Sequence, residues 1–292
     1  MGKTREIKKR IKAVGNIRRI TKTMQMIATS KFAKAQQAAT AGRPYADSLF
    51  NLVNELAGGL GDATHPLLAT PGGAKRPGKE LTLVITSERG LCGPYNGSVL
   101  RTAMQFFKTH ASAKDGRIEC IGKKGVGFFR YTGIKVATTH AVGDKASYEA
   151  VKTLAEGFIK DYLAGEISTV RVVYMKYISA GKQTPTVMQL VPFQPPAAKK
   201  GAGEGPRKVY EFSPDAALLL GDLLPAAVKG LLFQALNDAI VSEHVARMVA
   251  MKSATDNAGK AGKRYTRQYN RARQAQITTE LTEIISGAAA LA

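Results

Sequence analysis

The residues best suited to chemistry lie in one glycine-bearing turn. A β-branched apolar run at 81–86 leads into Ser87-Glu-Arg-Gly-Leu-Cys-Gly-Pro-Tyr-Asn-Gly97 and then into a helical pattern. α/β folds bind phosphates and cofactors at such strand-to-helix turns, because the helix start offers unpaired N–H groups and the positive end of its dipole. The patterns that make the turn a nucleotide site, GxGxxG and GxxxxGK[ST], are absent from the chain. A tight turn that starts a helix explains the glycines as well. Cys92 at that helix start has the position of an activated thiol, but Glu88 is the one candidate base beside it in sequence. Cys120 lies inside a strand pattern and reads as core. Glu280 and Glu283 share a helix face at i, i+3, as an acid/base pair would and as solvated charges near Arg273 also do. His244 has no second His or Cys at ligand spacing, and the two cysteines form no CxxC. No serine–histidine–acid set assembles from local spacing. The sequence therefore presents no catalytic, cofactor-binding or metal-ligating residue, and the expectation is a non-enzyme without a cofactor.

The elements around these residues have two textures. From residue 3 to about 58 the chain consists mainly of good helix formers, with Pro44 its one proline. Ile7, Ile11 and Val14 recur at helical spacing, and Ala28, Phe32, Ala35 and Ala39 continue that stripe. Ile17, Ile20, Met24 and Ile27 make a neighbouring stripe, for the partner helix or for an apolar partner outside. Gly58, Gly59 and Gly61 are stop signals. About 50 residues at 1.5 Å each predict a rod of roughly 80 Å. Residues 224 to 287 mirror it, with Pro225 read as a first-turn proline. Leu224, Val228, Leu231, Ala235, Ala239, Ser242, Ala246 and Val249 form one stripe, and Ile277, Leu281, Ile284, Ala288 and Leu291 another. Two such helices most simply bury their stripes against each other as an antiparallel coiled coil. Gly259, Lys260, Gly262, Lys263 and Arg264 interrupt the pattern and predict a weak or solvent-exposed part of the rod.

The middle alternates strands with helices. Strands are expected at 81–86, 117–121, 134–139, 167–178 and 184–193, and helices at 94–110, 123–131 and 146–163. That order predicts a mostly parallel sheet. The fold class is α/β: a Rossmann-like domain at 78–195 inserted between the rod halves 1–60 and 208–292, through Pro/Gly-rich linkers at 61–77 and 196–207.

Composition narrows the function classes. The 292 residues include 44% apolar residues, too many for wholesale disorder, and two cysteines, too few for a disulfide scaffold. No apolar run approaches the roughly 20 residues of a membrane span, and no apolar stretch follows the basic N-terminus as in a signal peptide. The expectation is an intracellular protein. A net charge of +21 calls for a polyanionic partner. The excess is densest at 1–58, with 12 Lys/Arg against three acidic residues. Lys8, Lys9, Arg10, Arg18, Arg19 and Lys22 crowd one end of the first helix, with few of the acidic residues that usually alternate on a solvated face. At the other terminus, residues 284–292 carry no charge, a liability unless something encloses them. A basic coiled coil that binds nucleic acid is the alternative, but residues 1–31 hold no aromatic to interleave with the cations.

At these residues the chain resembles the gamma subunits of F-type ATP synthases. The run from Ile7 to Lys31 is similar to that family's opening helix, and 87–96 to its loop after the first strand. Ala246-Arg-Met-Val-Ala-Met-Lys-Ser-Ala-Thr-Asp-Asn-Ala258 is similar to its C-terminal helix. Tyr269-Asn-Arg-Ala-Arg-Gln274, followed by 277–289, is similar to its terminal signature. Glu88 stands where the family usually has Asp, Pro94-Tyr95 where Gly and an apolar residue are common, and 259–264 is more basic and glycine-rich. No chloroplast-type cysteine insertion is visible, so thiol regulation is not implied. The resemblance implies a central rotor shaft, without an active site of its own, that couples proton flow through a membrane ring of c-subunits to catalytic sites on beta subunits. It implies a ring of alpha and beta subunits, an epsilon subunit and the c-ring as partners, and no nucleic acid. Membrane contact would come only through those partners, and the location would be peripheral on the cytoplasmic side of a bacterial cell membrane. The contact residues expected on that basis are Lys8, Lys9, Arg10, Lys22 and Met24 on the first helix, and Arg271, Arg273, Gln274, Thr278, Glu280 and Ile284 on the last.

Overall fold

The computed structural model describes residues 2–59, 65–68, 77–143, 146–194 and 216–291. The linker expected at 196–207 lies outside the described residues, and of the one at 61–77 only 65–68 and 77 are described. In chain order the elements are α1 (Gly2–Gly59), β1 (Lys79–Ile85), α2 (Tyr95–Thr109), α3 (Ala111–Lys114), β2 (Arg117–Ile121), α4 (Lys123–Tyr131), β3 (Thr138–His140), α5 (Tyr148–Leu163), β4 (Ile167–Ser179), β5 (Lys182–Val191) and α6 (Ala216–Leu291). This is the α/β class that the periodicities predict, with long terminal helices and a central, mostly parallel sheet. Two compact units divide the chain, 31–246 and 1–30 with 247–292, so that the boundary falls inside both α1 and α6.

Within 31–246 the sheet runs β3-β2-β1-β4-β5. The first four strands are parallel, and β5 closes the edge antiparallel to β4. β1 is buried on both faces, as a central parallel strand must be. Its Val84 packs with α2, α3 and α4. Leu81, Leu83 and Ile85 pack with α5 and with the parts of α1 and α6 in this unit. Leu49 and Val53 of α1 and Leu224, Val228 and Leu232 of α6 belong to that second core. Ser242 of α6 donates to the Met175 carbonyl of β4 at 3.3 Å, and Phe32 stands edge-on to Tyr177 at 6.4 Å. One 18-residue window of α6 reaches a mean hydropathy of 1.4, enough by length and composition to cross a membrane. Leu220, Leu224, Val228 and Leu232 spend that apolarity on the core.

Some expectations need correction. The strand expected at 134–139 is only Thr138–His140. α4 ends in a glycine cap: Gly133 has φ +73° and the Ile134 N–H donates back to the Phe129 carbonyl at 2.9 Å, which takes 132–134 out of any strand. Pro225 is not in a first turn, because α6 begins nine residues earlier; like Pro44 in α1 it lies inside the helix. Each proline lacks the N–H for one helical bond, and the buried neighbours Leu224, Ala227 and Val228 show packing holding the helix at Pro225. α6 runs unbroken through the segment 259–264 that interrupts the apolar stripe; there Lys260, Lys263 and Arg264 are exposed, as expected, while Gly259 and Gly262 are half-buried.

Within 1–30 and 247–292, α1 and α6 run antiparallel. The Thr4 hydroxyl donates to Gln276 Oε1 at 3.1 Å, and Thr255 to Thr21 at 2.8 Å. The α1 face is Thr4, Ile7, Ile11, Val14, Thr21 and Ala28. The α6 face is Met251, Thr255, Ala258, Gly262, Tyr265, Tyr269, Ala272 and Gln276, spaced by alternating fours and threes. That is the 3.5-residue period of a left-handed coiled coil. It replaces the expected α6 stripe here: Val249, Ile277, Leu281 and Ile284 are exposed. Thr4, near the start of α1, is already opposite Gln276, so among the described residues the last turns of α6 face no turn of α1.

Candidate functional site

The turn after β1 is closed by its own residues. Asn96 accepts the Ser87 N–H at 3.0 Å and donates to Ser87 Oγ at 2.7 Å and Cys92 Sγ at 3.2 Å. Ser87 Oγ donates to the Arg89 carbonyl at 2.7 Å. Tyr95 and Ser98, at the start of α2, direct their N–H groups to the Cys92 and Pro94 carbonyls. The side chains of Ser87 and Asn96 and the N–H groups of Ser87, Tyr95 and Ser98 are thus committed to the loop, and Ser87, Cys92 and Tyr95 are buried. A buried Cys92 thiol cannot meet a substrate. Cys120 behaves as the core thiol expected, its pKa pushed up to about 11 by burial. Gly122 and Gly125 bring α4 tightly against this turn: a Cβ at Gly122, where φ is +94°, would stand 2.3 Å from the Thr86 carbonyl oxygen. The packed loop presents Leu91, 60% exposed at φ +63°, a left-handed conformation that costs a non-glycine residue energy.

The other chemical candidates are equally occupied. Glu280 accepts a hydrogen bond from Gln276 at 2.8 Å on an exposed helix, where Glu283 is also exposed, so the pair has no enclosed site in which to act. His244 is buried in α6. Among the described residues no group of three His, Cys, Asp or Glu is arranged to hold a metal ion.

What remains is the surface of α1 and α6 within 1–30 and 247–292. Lys8, Lys9, Arg10 and Lys22 are exposed and Met24 is half-buried. Arg271, Arg273, Gln274, Thr278 and Glu280 are exposed, and Ile284 is 70% exposed. Arg10 and Arg271 meet at one groove of about 560 Å³, floored by Ile7, Ala272 and Ala275. Glu6 accepts from Arg10 at 2.6 Å and holds its pKa above the ordinary guanidinium value. The other expected residues are not gathered at a shared groove: Lys8, Lys9 and Lys22 lie along α1, and Thr278 and Ile284 lie beyond Gln276. Ile17, Ile20 and Ile27, half of the choice left open by the sequence, face outward at more than 50% exposure each.

A second groove, of about 830 Å³, was not expected as a site. Ile11 and Val14 floor it, with Arg18, Lys260, Lys263 and Arg267 along its length. Its signal in the sequence was present: Gly262 falls in phase with Thr255 and Ala258, and glycine there leaves a gap where a coiled-coil knob would stand. The charge along 1–22, the outward isoleucines and the exposed apolar end of α6 are the features of this surface that the packing within the chain does not use.

Known proteins match this arrangement over its whole length. The family profile described as ATP synthase covers residues 3–291. The ATP synthase gamma chain of Rhodopirellula baltica is 39% identical, over 100% of this chain and 99% of its own. That of Desulfitobacterium hafniense is 40% identical, over 100% of both. Among solved structures, a chain of the Euglena gracilis mitochondrial ATP synthase in an OSCP/F1/c-ring structure has a TM-score of 0.66 at 19% identity, covering 99% of this chain and 95% of its own. A central stalk/c-ring structure of the Tetrahymena thermophila enzyme gives 0.58 at 18% identity, covering 80% of this chain and 99% of its own. On full-length identity at this level, the chain belongs to the ATP synthase gamma-chain family.

Proposed function

We propose that this chain is the central-stalk rotor subunit of an F-type ATP synthase and transmits torque without catalysing a reaction. The observation that carries the reading is the uncovered end of α6: a helix that continues past its own partner with Ile277, Leu281, Ile284 and Ile285 more than half exposed. Such an end is tolerable only inside a sleeve. A ring of alpha and beta subunits supplies it. Beside the sleeve, the cations Lys8, Lys9, Arg10 and Lys22 meet acidic segments of the beta subunits. Each angular position of an asymmetric shaft then makes different contacts with each beta subunit, and that difference in contact free energy sets nucleotide affinity. The α/β unit meets the epsilon subunit and the c-ring, which brings the chain to the cytoplasmic side of a bacterial membrane as a peripheral subunit.

Reconstitution tests the reading. Purified alpha and beta subunits of the same organism, mixed with this chain, should give one copy per ring of six and a sharp rise in ATP hydrolysis. Reversing Lys8, Lys9 and Lys22 to Glu should slow or uncouple turnover while leaving the fold of the α/β unit intact. Absence of a complex would end the shaft reading. Unchanged coupled turnover in the reversed variant would remove those three cations from it.

A further inference from the structure

We infer that the second groove, where Gly259 and Gly262 of α6 face Arg18 and Val14 of α1, binds a small amphipathic anion whose apolar body lies on the floor and whose acidic groups meet the cations of the rim. The groove has a volume of about 830 Å³, within the range of small-molecule sites. α6 lines it from Thr255 to Arg267, roughly 18 Å of helix at 1.5 Å per residue. Three glycines open it: Gly15 on α1, and Gly259 and Gly262 on α6. None of them has a positive φ. A Cβ at Gly15 would meet open space; at Gly259 it would stand 3.7 Å from Arg18 Nε, and at Gly262 3.9 Å from Val14 Cγ1. Those are ordinary contact distances. Neither backbone nor packing requires glycine here, and glycine inside a helix costs stability. What the glycines provide is room.

Charge and apolarity together select the occupant. Lys260, Lys263 and Arg267 follow one another along α6 at i, i+3 and i+7, and Arg18 adds a cation from α1. All four are exposed. None makes an ion pair with another described residue, and that includes Asp256, which lines the same groove. Between the cations the floor is apolar, formed by Ile11, Val14 and Ala258. An inorganic anion would use the cations and leave that floor wet. A neutral apolar molecule would leave the cations unused. An apolar body with two or more acidic groups along one side uses both, so that burial of the floor adds to charge-assisted contacts at the rim. The site lies wholly on this chain and does not depend on the proposed function. Only the choice of a small ligand over an acidic segment of the ring rests on that reading: such a segment would have to leave the groove as the shaft turns, whereas a small ligand turns with it.

The test is fluorescence titration of the full chain with dianilinobinaphthyl disulfonate, a dianionic dye that brightens when its apolar body leaves water, at about 0.15 M salt. Saturable binding of one dye per chain is expected. Gly262→Leu fills the floor without changing charge and should weaken binding at least about tenfold. Its melting temperature should hold or rise, because Leu is the better helix former. K260E/K263E/R267E should also weaken binding at least about tenfold. K34E/K160E/K182E makes the same change of net charge away from the groove and should cost less than about twofold. Decyl phosphate should displace the dye far more readily than pyrophosphate, which has charge but no apolar body. Far-UV circular dichroism melts check that each variant folds. Five results would overturn the inference: undiminished binding by Gly262→Leu, equal losses in both triple variants, loss only when Ile277, Leu281, Ile284 and Ile285 are replaced by Gln, displacement by pyrophosphate as readily as by decyl phosphate, or tighter competition by an acidic amphipathic peptide, which would give the groove to a partner's helix. The chain is titrated without other subunits, so failure here and failure of the shaft reading are separate events.

Discussion

The uncovered end of α6 gives the sharpest quantitative prediction. Ile277, Leu281, Ile284 and Ile285 are 54%, 57%, 70% and 60% exposed in the free chain. Fully burying an Ile or Leu side chain is worth about 1.5–3 kcal/mol. With somewhat more than half of each left to cover, enclosure contributes roughly 1–1.5 kcal/mol per residue, or about 4–6 kcal/mol for the four. In the free chain they stabilise almost nothing, since exposed substitutions stay within about 0.5 kcal/mol. Replacing all four by Gln, a better helix former than Ile, should leave the thermal melt of the free chain unchanged. Its affinity for the alpha–beta ring should fall by about three to four orders of magnitude at 1.4 kcal/mol per decade. Fluorescence titration of the labelled chain into purified rings reads the affinity, and calorimetry reads the melt. An affinity within about threefold of the parent, which is about 0.7 kcal/mol, would refute enclosure. So would a lowered melt of the free chain, because the four residues would then be packed without a partner.

Other consequences follow from the packing. Gly122→Ala drives a Cβ into the Thr86 carbonyl oxygen at φ +94°, so it should cost about 3 kcal/mol, read as a lowered urea midpoint. A double-mutant cycle on Thr21→Val and Thr255→Val should return a coupling of about 1 kcal/mol for their 2.8 Å bond; additive losses would refute it. Asp238 has its pKa raised by burial, against the lowering pull of Arg43 and the Gln234 hydrogen bond. The folded state therefore holds this proton more tightly than the unfolded state, and stability from this group is full below the unfolded carboxylate pKa and lost as pH rises above it. Asp238→Asn removes that loss, so its stability relative to the parent should climb from about pH 4 upward, as chemical melts at several pH values would measure. A flat difference would count against the reading.

Much of this molecule is legible in its sequence because two periods, 3.6 and 2, are written cleanly. β2 at Arg117–Ile121 and α4 at Lys123–Tyr131 fall where the spacing predicts them. β3 is displaced because a backbone cap at Gly133, a local conformational event, consumes residues whose types read as strand. Pro225 misleads for a related reason: proline's preference for a first turn is a prior, and burial of its neighbours overrides it. The turn at 87–97 had the right glycines for a phosphate site, but the sequence could not reveal that Asn96 and Ser87 spend their polar groups on one another.

Register was the least legible property and the one with most functional weight. Both helices advertise apolar stripes, and the stripe at Ile277, Leu281 and Ile284 looks like more coiled coil. Whether it has a partner depends on which turn of α1 faces which turn of α6. Thr21 supplies the answer. Its hydroxyl donates to the Arg18 carbonyl at 3.1 Å, and Thr255, bonded to the Met251 carbonyl, reaches it at 2.8 Å. Sliding α6 by one heptad would set Met248 or Gly262 opposite Thr21 and leave two hydroxyls without each other in a buried layer. A polar layer in an apolar seam fixes register in this way, at some cost in stability. Once Thr21 faces Thr255, Thr4 faces Gln276, and among the described residues the apolar positions beyond, Ile277, Leu281 and Ile284, stay exposed, which is the end that the proposed ring would enclose.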